Sequence, residues 1–254
     1  MTKQLLIYNT AVPVSRANHA DACIEPVPGY GFSGDVNSVP LMLVEFPQAA
    51  AEYVIVFAGQ GEEVMPAAVL GLRDHENLFL GKDRQWGGRY IPAFLRRYPF
   101  VFSQDGDRLV LCVDEQYPGF NRDGRGQHLF NDAGEPSEYT GNVLKFMQEF
   151  QAQSMRTQAF CNKLKALGLL ESMQATVVRP DGSRMSLSGF LAINRDKLKA
   201  LPPESLAELV ASDELEMIYA HLLSMRNFEG LKDRLDAAIP KKTANGAASP
   251  APVA

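Results

Sequence analysis

From residue 143 to 167, apolar side chains recur at the spacing of one helix face. Val143, Met147, Phe150, Cys161 and Leu164 form the stripe, and Leu144, Phe160 and Leu167 widen it. A helix this long cannot cover its own stripe, so other elements of the chain must supply a matching apolar surface. Thr140 reads as its N-cap and Gly168 as the residue just beyond its C-terminus. Composition also changes at Thr140, from turn-rich and strand-like before it to mostly helical after it. The pattern predicts an α+β protein with a strand-rich N-terminal half around a mixed sheet and a mostly helical C-terminal part. Residues 1–239 are expected to form one integrated domain.

The strand readings rest on short apolar runs between turn formers. Residues 5–8, 41–46 and 77–80 read as short strands, and 64–72 as an extended segment broken by Pro66. Pro47 opens a helical turn that runs to Glu52. Residues 53–58, YVIVFA, are β-branched and aromatic without interruption, as expected for a strand buried on both faces. Two helical turns are expected over 90–97. Strands at 100–103 and 109–113 form a hairpin across Asp105 and Gly106, because an Asp-Gly pair tolerates the positive φ of a tight turn. Beyond the long helix, 175–178 and 184–187 flank Pro180-Asp181-Gly182 as a second hairpin, with 188–194 extending it. Helices follow at 203–211, at 213–225 with Ser212 as N-cap, and at 227–238. Residues 240–254 are low in complexity, carry no apolar anchor and are expected to be disordered.

Several function classes are disfavoured. A net charge of -5 does not suit a nucleic-acid partner, which needs a concentrated positive surface. No run reaches transmembrane length, and the first apolar run is too short for an export leader, so a cytoplasmic protein without a membrane span is expected. The three cysteines contain no CxxC pair and fit a reducing compartment. None of the four histidines has a second His or Cys at ligand spacing, so no metal is called for. His221 reads as a flank residue of its helix. Phosphate-loop, dinucleotide and nucleophile-elbow signatures are absent, and neither a catalytic residue nor a cofactor is assigned. Asp114 and Glu115 are the best carboxylate pair, but adjacent strand residues point to opposite faces and do not easily share a proton.

Residues 70–100 are the most promising place for recognition. They hold the only tryptophan, Trp86, among further aromatics and the Arg96-Arg97 pair. Asn77, Trp86, Tyr90, Arg96, Arg97 and Tyr98 are the candidates for contacting a protein partner or a small polar ligand, through stacking, cation–π attraction and bidentate bonds. Glu45, Asp114 and Glu115 are weaker candidates. The structural alternative is an irregular knot, with Trp86 and Tyr90 in the core and Arg96 paired with an acid such as Glu45.

The same stretch carries a family resemblance. Glu45-Phe46, residues 53–57, Leu70-Gly71-Leu72, Glu76-Asn77-Leu78-Phe79, Trp86, Tyr90-Ile91-Pro92-Ala93 and Arg96-Arg97-Tyr98-Pro99-Phe100 resemble landmarks of the bacterial SapC family. Leu129-Phe130 with Gly134, Gly189-Phe190, and Tyr219-Ala220-His221-Leu222 with Ser224 extend the match to about residue 235. The resemblance implies an accessory role beside TonB-dependent receptors, halogenase-like proteins and cupin- or JmjC-like oxygenases in carbohydrate uptake. Three functions follow as expectations. The first is an accessory or binding protein using the Trp86 to Tyr98 surface. The second is an enzyme whose site gathers Asp114, Glu115, His75 or His128 by folding. The third is the surface-layer component that the family's name implies.

Overall fold

The computed structural model describes residues 6–59, 64–178 and 184–238. Its strands are β1 (Ala11–Pro13), β2 (Cys23–Ile24), β3 (Ser38–Pro40), β4 (Val54–Ala58), β5 (Met65–Val69), β6 (Phe100–Asp105), β7 (Arg108–Asp114), β8 (Phe120–Asn121), β9 (Gln127–His128), β10 (Leu170–Val178) and β11 (Arg184–Ile193). Its helices are α1 (Arg16–His19), α2 (Phe46–Ala49), α3 (Ala93–Arg96), α4 (Glu138–Ala166), α5 (Arg195–Lys199), α6 (Pro203–Ala211), α7 (Glu214–Ser224) and α8 (Phe228–Ala238). The architecture is α+β, strand-rich before α4 and mostly helical after it.

In place of a single mixed sheet, the described strands form three sheets, and their pairs are antiparallel throughout. The largest has the order β10-β11-β4-β5-β3, with β4 at its centre and Val54 to Phe57 buried. Helix α7 packs on β4, and α4 packs on β5. The apolar run is thus buried from Tyr53 to Phe57, while Ala58 at its end is exposed. The other sheets are β1-β7-β6 and β8-β2-β9.

Helix α4 joins these parts. At 29 residues it extends about 43 Å. Met147, near its start, packs with Phe100, Val113 and Leu129, while Phe160, Cys161 and Leu164 enter the main core. Its N-cap is Ser137, not Thr140: the Ser137 hydroxyl accepts from the Thr140 N–H at 3.2 Å. Gly168 adopts φ +65° just past the helix end, as expected.

Three strand expectations are corrected. Residues 6–8 form no strand. Residues 41–46 turn into a 3-10 helix, Leu43–Glu45, because Glu45 Oε2 accepts from the Met42 N–H (2.7 Å). The Leu43 N–H donates to Thr157 Oγ1 on α4 (2.9 Å), which fixes this turn against the long helix. Residues 77–80 are a turn, because Asn77 Oδ1 captures the Phe79 N–H (3.0 Å) in place of a ladder bond. Only an isolated bridge, Leu80 to Trp86, remains there. Helix α7 starts after Asp213 (φ +61°), and the Ser212 side chain bonds Glu208 O and Glu214 instead of capping it. The turn expected at Pro180-Asp181-Gly182 and the tail 240–254 lie outside the described residues.

Candidate functional site

The candidates from residues 77–100 separate into three places. Trp86 sits in a hydrogen-bonded knot. Its Nε1–H donates to Tyr53 Oη (3.1 Å) and Tyr90 O (3.0 Å), and the Tyr53 hydroxyl donates to the same carbonyl. Glu52 accepts from the backbone N–H groups of Arg89 (2.9 Å) and Tyr90 (2.6 Å). The Trp86 ring lies between Phe79 and Tyr30, with centroids 5.8 and 5.7 Å away. Burial, then the neighbouring Glu52 charge, pushes the Tyr53 hydroxyl well above the usual phenol range. Asn77 is also used internally, since its amide donates to Ser33 O (2.9 Å) and Oγ (3.1 Å).

Arg97 and Tyr98 turn into a second cluster. The Arg97 guanidinium carbon stands 4.3 Å from the Phe94 ring centroid, 4.7 Å from Phe150 and 5.5 Å from Tyr8. Burial is the main reason the Tyr8 hydroxyl is pushed up to about 12, and that hydroxyl donates to Phe100 O (2.6 Å). Tyr98 stacks on Phe32 at 4.2 Å and contacts Asp114 Oδ2 at 3.4 Å. Asp114 is buried and accepts the N–H groups of Asn9 (2.8 Å), Thr10 (3.0 Å) and Gln116 (3.1 Å). Its charge fastens the β1 approach to the end of β7 and leaves no oxygen free for chemistry.

Tyr90, Arg96 and Glu45 form the third group, at an open cleft of about 350 Å³ between the 3-10 turn with α2, α3 and α4. Glu45 is 3% exposed. Three donors meet its carboxylate: the N–H groups of Met42 (2.7 Å) and Ala93 (2.8 Å), and the Tyr90 hydroxyl (2.7 Å). Desolvation and the adjacent Glu45 charge hold the Tyr90 hydroxyl far above its ordinary value. Arg96 does not pair with Glu45 directly, because the Tyr90 hydroxyl lies between them, 3.4 Å from Arg96 Nη2. Arg96 is exposed, and its Nε–H donates to Ile91 O (3.0 Å). The Tyr90 and Phe146 rings flank it, with centroids 5.8 and 5.6 Å from Cζ. One edge of the guanidinium is thereby fixed to backbone and Nη2 also reaches the Tyr90 hydroxyl, which leaves Nη1 and one Nη2 N–H without a protein partner among the described residues. Gln48, Glu149 and Gln153 add polar groups to the lining, and Met42 and Val44 add apolar surface.

Asp114, Glu115, His75 and His128 do not converge. Asp114 is taken by backbone donors, and His75 occupies a turn at φ +57°. Glu115 Oε1 stands 3.2 Å from Nε2 of buried His19, whose Nδ1 accepts from the Ser15 N–H. His128 Nδ1 lies 3.3 Å from Cys23 Sγ across paired β2 and β9. Burial raises that thiol, and the sulfur is shielded from solvent. These two contacts link residues far apart in sequence, and no local spacing signals them. His221 is buried instead of flanking: Nε2 accepts from the Ile193 N–H (3.0 Å), and desolvation lowers its pKa to about 4. Among the described residues no three His, Cys, Asp or Glu side chains are grouped to hold a metal ion, and no helix is long and apolar enough to cross a membrane.

Comparison with known proteins gives one match. A family model described as SapC covers residues 14–231. No curated protein and no solved structure matches the chain.

Proposed function

The chain belongs to the SapC family, and we propose that it is an accessory binding protein whose recognition site is the Arg96 cleft. The observation that carries this reading is the state of Arg96. It is an exposed guanidinium pinned by Ile91 O and two aromatic rings, with no carboxylate within 4.0 Å among the described residues. An arginine held this way has lost much of its conformational freedom before any ligand arrives, so less entropy is lost on binding. The cleft is small enough to favour a compact polar ligand over a protein surface. Trp86 and Tyr98 support it from outside the cleft, because their polar groups and rings are engaged within the fold, and Arg97 lies among the Phe94, Phe150 and Tyr8 rings. In this reading the chain presents a ligand to, or senses it for, a partner in nutrient uptake.

A thermal-shift survey of small charged and neutral solutes tests the proposal. A ligand at one hundred times its Kd adds about 2.7 kcal/mol of stability, which raises Tm by roughly 5–10 °C for a chain of this size. The shift should vanish in Arg96→Met and persist in Arg89→Met, an exposed arginine that is not part of the cleft lining. Equal shifts in both variants would place recognition elsewhere.

A further inference from the structure

We infer that the ligand of the Arg96 cleft is dipolar. It carries an anionic group and a cationic group on one small, partly apolar body, as an α-amino acid with a hydrophobic side chain does. This rests on the reading of the cleft as a recognition site and adds the chemistry of its occupant.

Charge balance is the first argument. The cleft lining holds one cation, Arg96, and two carboxylates, Glu45 and Glu149. The Glu45 oxygens are already occupied by three donors, so it offers no further bond, yet its negative charge remains beside Arg96. A simple anion would therefore enter a cleft of net negative charge. A simple cation would meet the free N–H groups of Arg96. A molecule bearing both signs satisfies each wall without adding net charge.

The second argument is the separation of the opposite charges. Arg96 and Glu149 line one cleft, yet no ion pair within 4.0 Å joins them, and neither has another charged partner among the described residues. The Nε–H···O bond to Ile91 prevents Arg96 from swinging freely across to Glu149. Phe146 and Glu149 sit three residues apart on α4, one helical turn, so they share a face. Phe146 is also the ring that flanks Arg96. The Phe146 ring thus stands beside the Arg96 cation from α3, and the Glu149 carboxylate lies one turn along the same α4 face in the same cleft.

The third argument is the apolar component. Val44 remains 56% exposed on the cleft lining, and the partly exposed Phe146 ring lines the same cleft. A ligand with a hydrophobic side chain would cover this surface while its charged groups meet Arg96 and Glu149.

Calorimetric titration of the full chain with three related probes tests the inference. Phenylalanine carries both charges, 3-phenylpropanoate lacks the ammonium, and 2-phenylethylamine lacks the carboxylate. Phenylalanine should bind most tightly, and each probe lacking one charge should bind at least about tenfold more weakly. Glu149→Gln should weaken phenylalanine and 2-phenylethylamine but spare 3-phenylpropanoate. Arg96→Met should weaken phenylalanine and 3-phenylpropanoate but spare the amine. Both side chains are exposed, and an unchanged Trp86 emission spectrum confirms that each variant is folded. If 3-phenylpropanoate matches phenylalanine and Glu149→Gln has no effect, the dipolar ligand is refuted while the recognition cleft survives. Preference for the amine with no dependence on Arg96 overturns both. No binding of any probe by the wild-type chain rejects the dipolar apolar ligand, leaving the wider thermal-shift survey to decide the cleft.

Discussion

The Tyr90 hydroxyl bridges Arg96 and Glu45, donating to Glu45 Oε1 at 2.7 Å and lying 3.4 Å from Arg96 Nη2. One phenol thereby serves a buried carboxylate and an exposed guanidinium. Removing it should separate the two roles. Tyr90→Phe leaves Glu45 with two backbone donors, so the fold persists but loses about 1–3 kcal/mol of stability in urea unfolding. The same variant releases one restraint on Arg96 and should weaken any ligand of the cleft. An unchanged urea midpoint would show that the Glu45 bond is energetically neutral.

His221 should make stability depend on pH. Desolvation lowers its pKa from 6.5 to about 4, so between these values the unfolded chain binds the proton and the folded chain does not. Stability is therefore complete above about pH 6.5 and falls as the pH drops towards 4, by about 3 kcal/mol over the whole range. Carboxylates titrate in the lower part of that window as well, so the comparison must be with His221→Gln. The glutamine can still accept from the Ile193 N–H, and its profile between pH 6.5 and 5 should be flatter than that of the parent.

Much of the framework was readable because it depends on local pattern. The α4 stripe is periodic, the 53–58 run is apolar on every residue, and Asp105-Gly106 marks a two-strand turn. Helix ends were less secure: Ser137 and Thr140 are both good caps three residues apart, and the Ser137 hydroxyl takes the Thr140 N–H. Residues 41–46 read as a strand from their apolar run, but Glu45 bonds back to the Met42 N–H, and Ala93 N–H on Glu45 and Thr157 beneath Leu43 hold the turn from far along the chain. The cleft divides in the same way. Tyr90 and Arg96 belong to one recognisable segment, while Phe146 and Glu149 arrive from a helix whose sequence shows only its buried stripe. The Cys23–His128 and His19–Glu115 contacts depend wholly on tertiary placement.

Thiol chemistry gives an independent check of the core. Cys23, Cys112 and Cys161 form no disulfide and are buried. Burial raises the Cys23 thiol and pushes Cys161 up to about 12. At pH 8 a soluble disulfide reagent should label the native protein slowly, with Cys161 the slowest, and should label all three thiols rapidly in denaturant. Fast native labelling of Cys161 would contradict its position between α4 and the main sheet.

Two glycine-to-alanine substitutions should act in opposite directions. At Gly88 an added Cβ would lie 2.8 Å from both Trp86 Nε1 and Tyr53 Oη and 3.1 Å from Glu52 Oε2, where hydrogen bonds hold all three groups. Gly88→Ala must displace part of the knot and should cost about 1–3 kcal/mol. Trp86 is the only tryptophan, so its emission reports that displacement directly and should move to longer wavelength as the displaced indole meets more water. At Gly141, inside α4, an added Cβ meets nothing within 4 Å. Gly141→Ala removes only backbone freedom from the unfolded chain and should stabilise by about 0.5–1 kcal/mol, with emission unchanged. If Gly88→Ala were as well tolerated as Gly141→Ala, the packed knot would not be the support that holds Tyr90 beside the cleft.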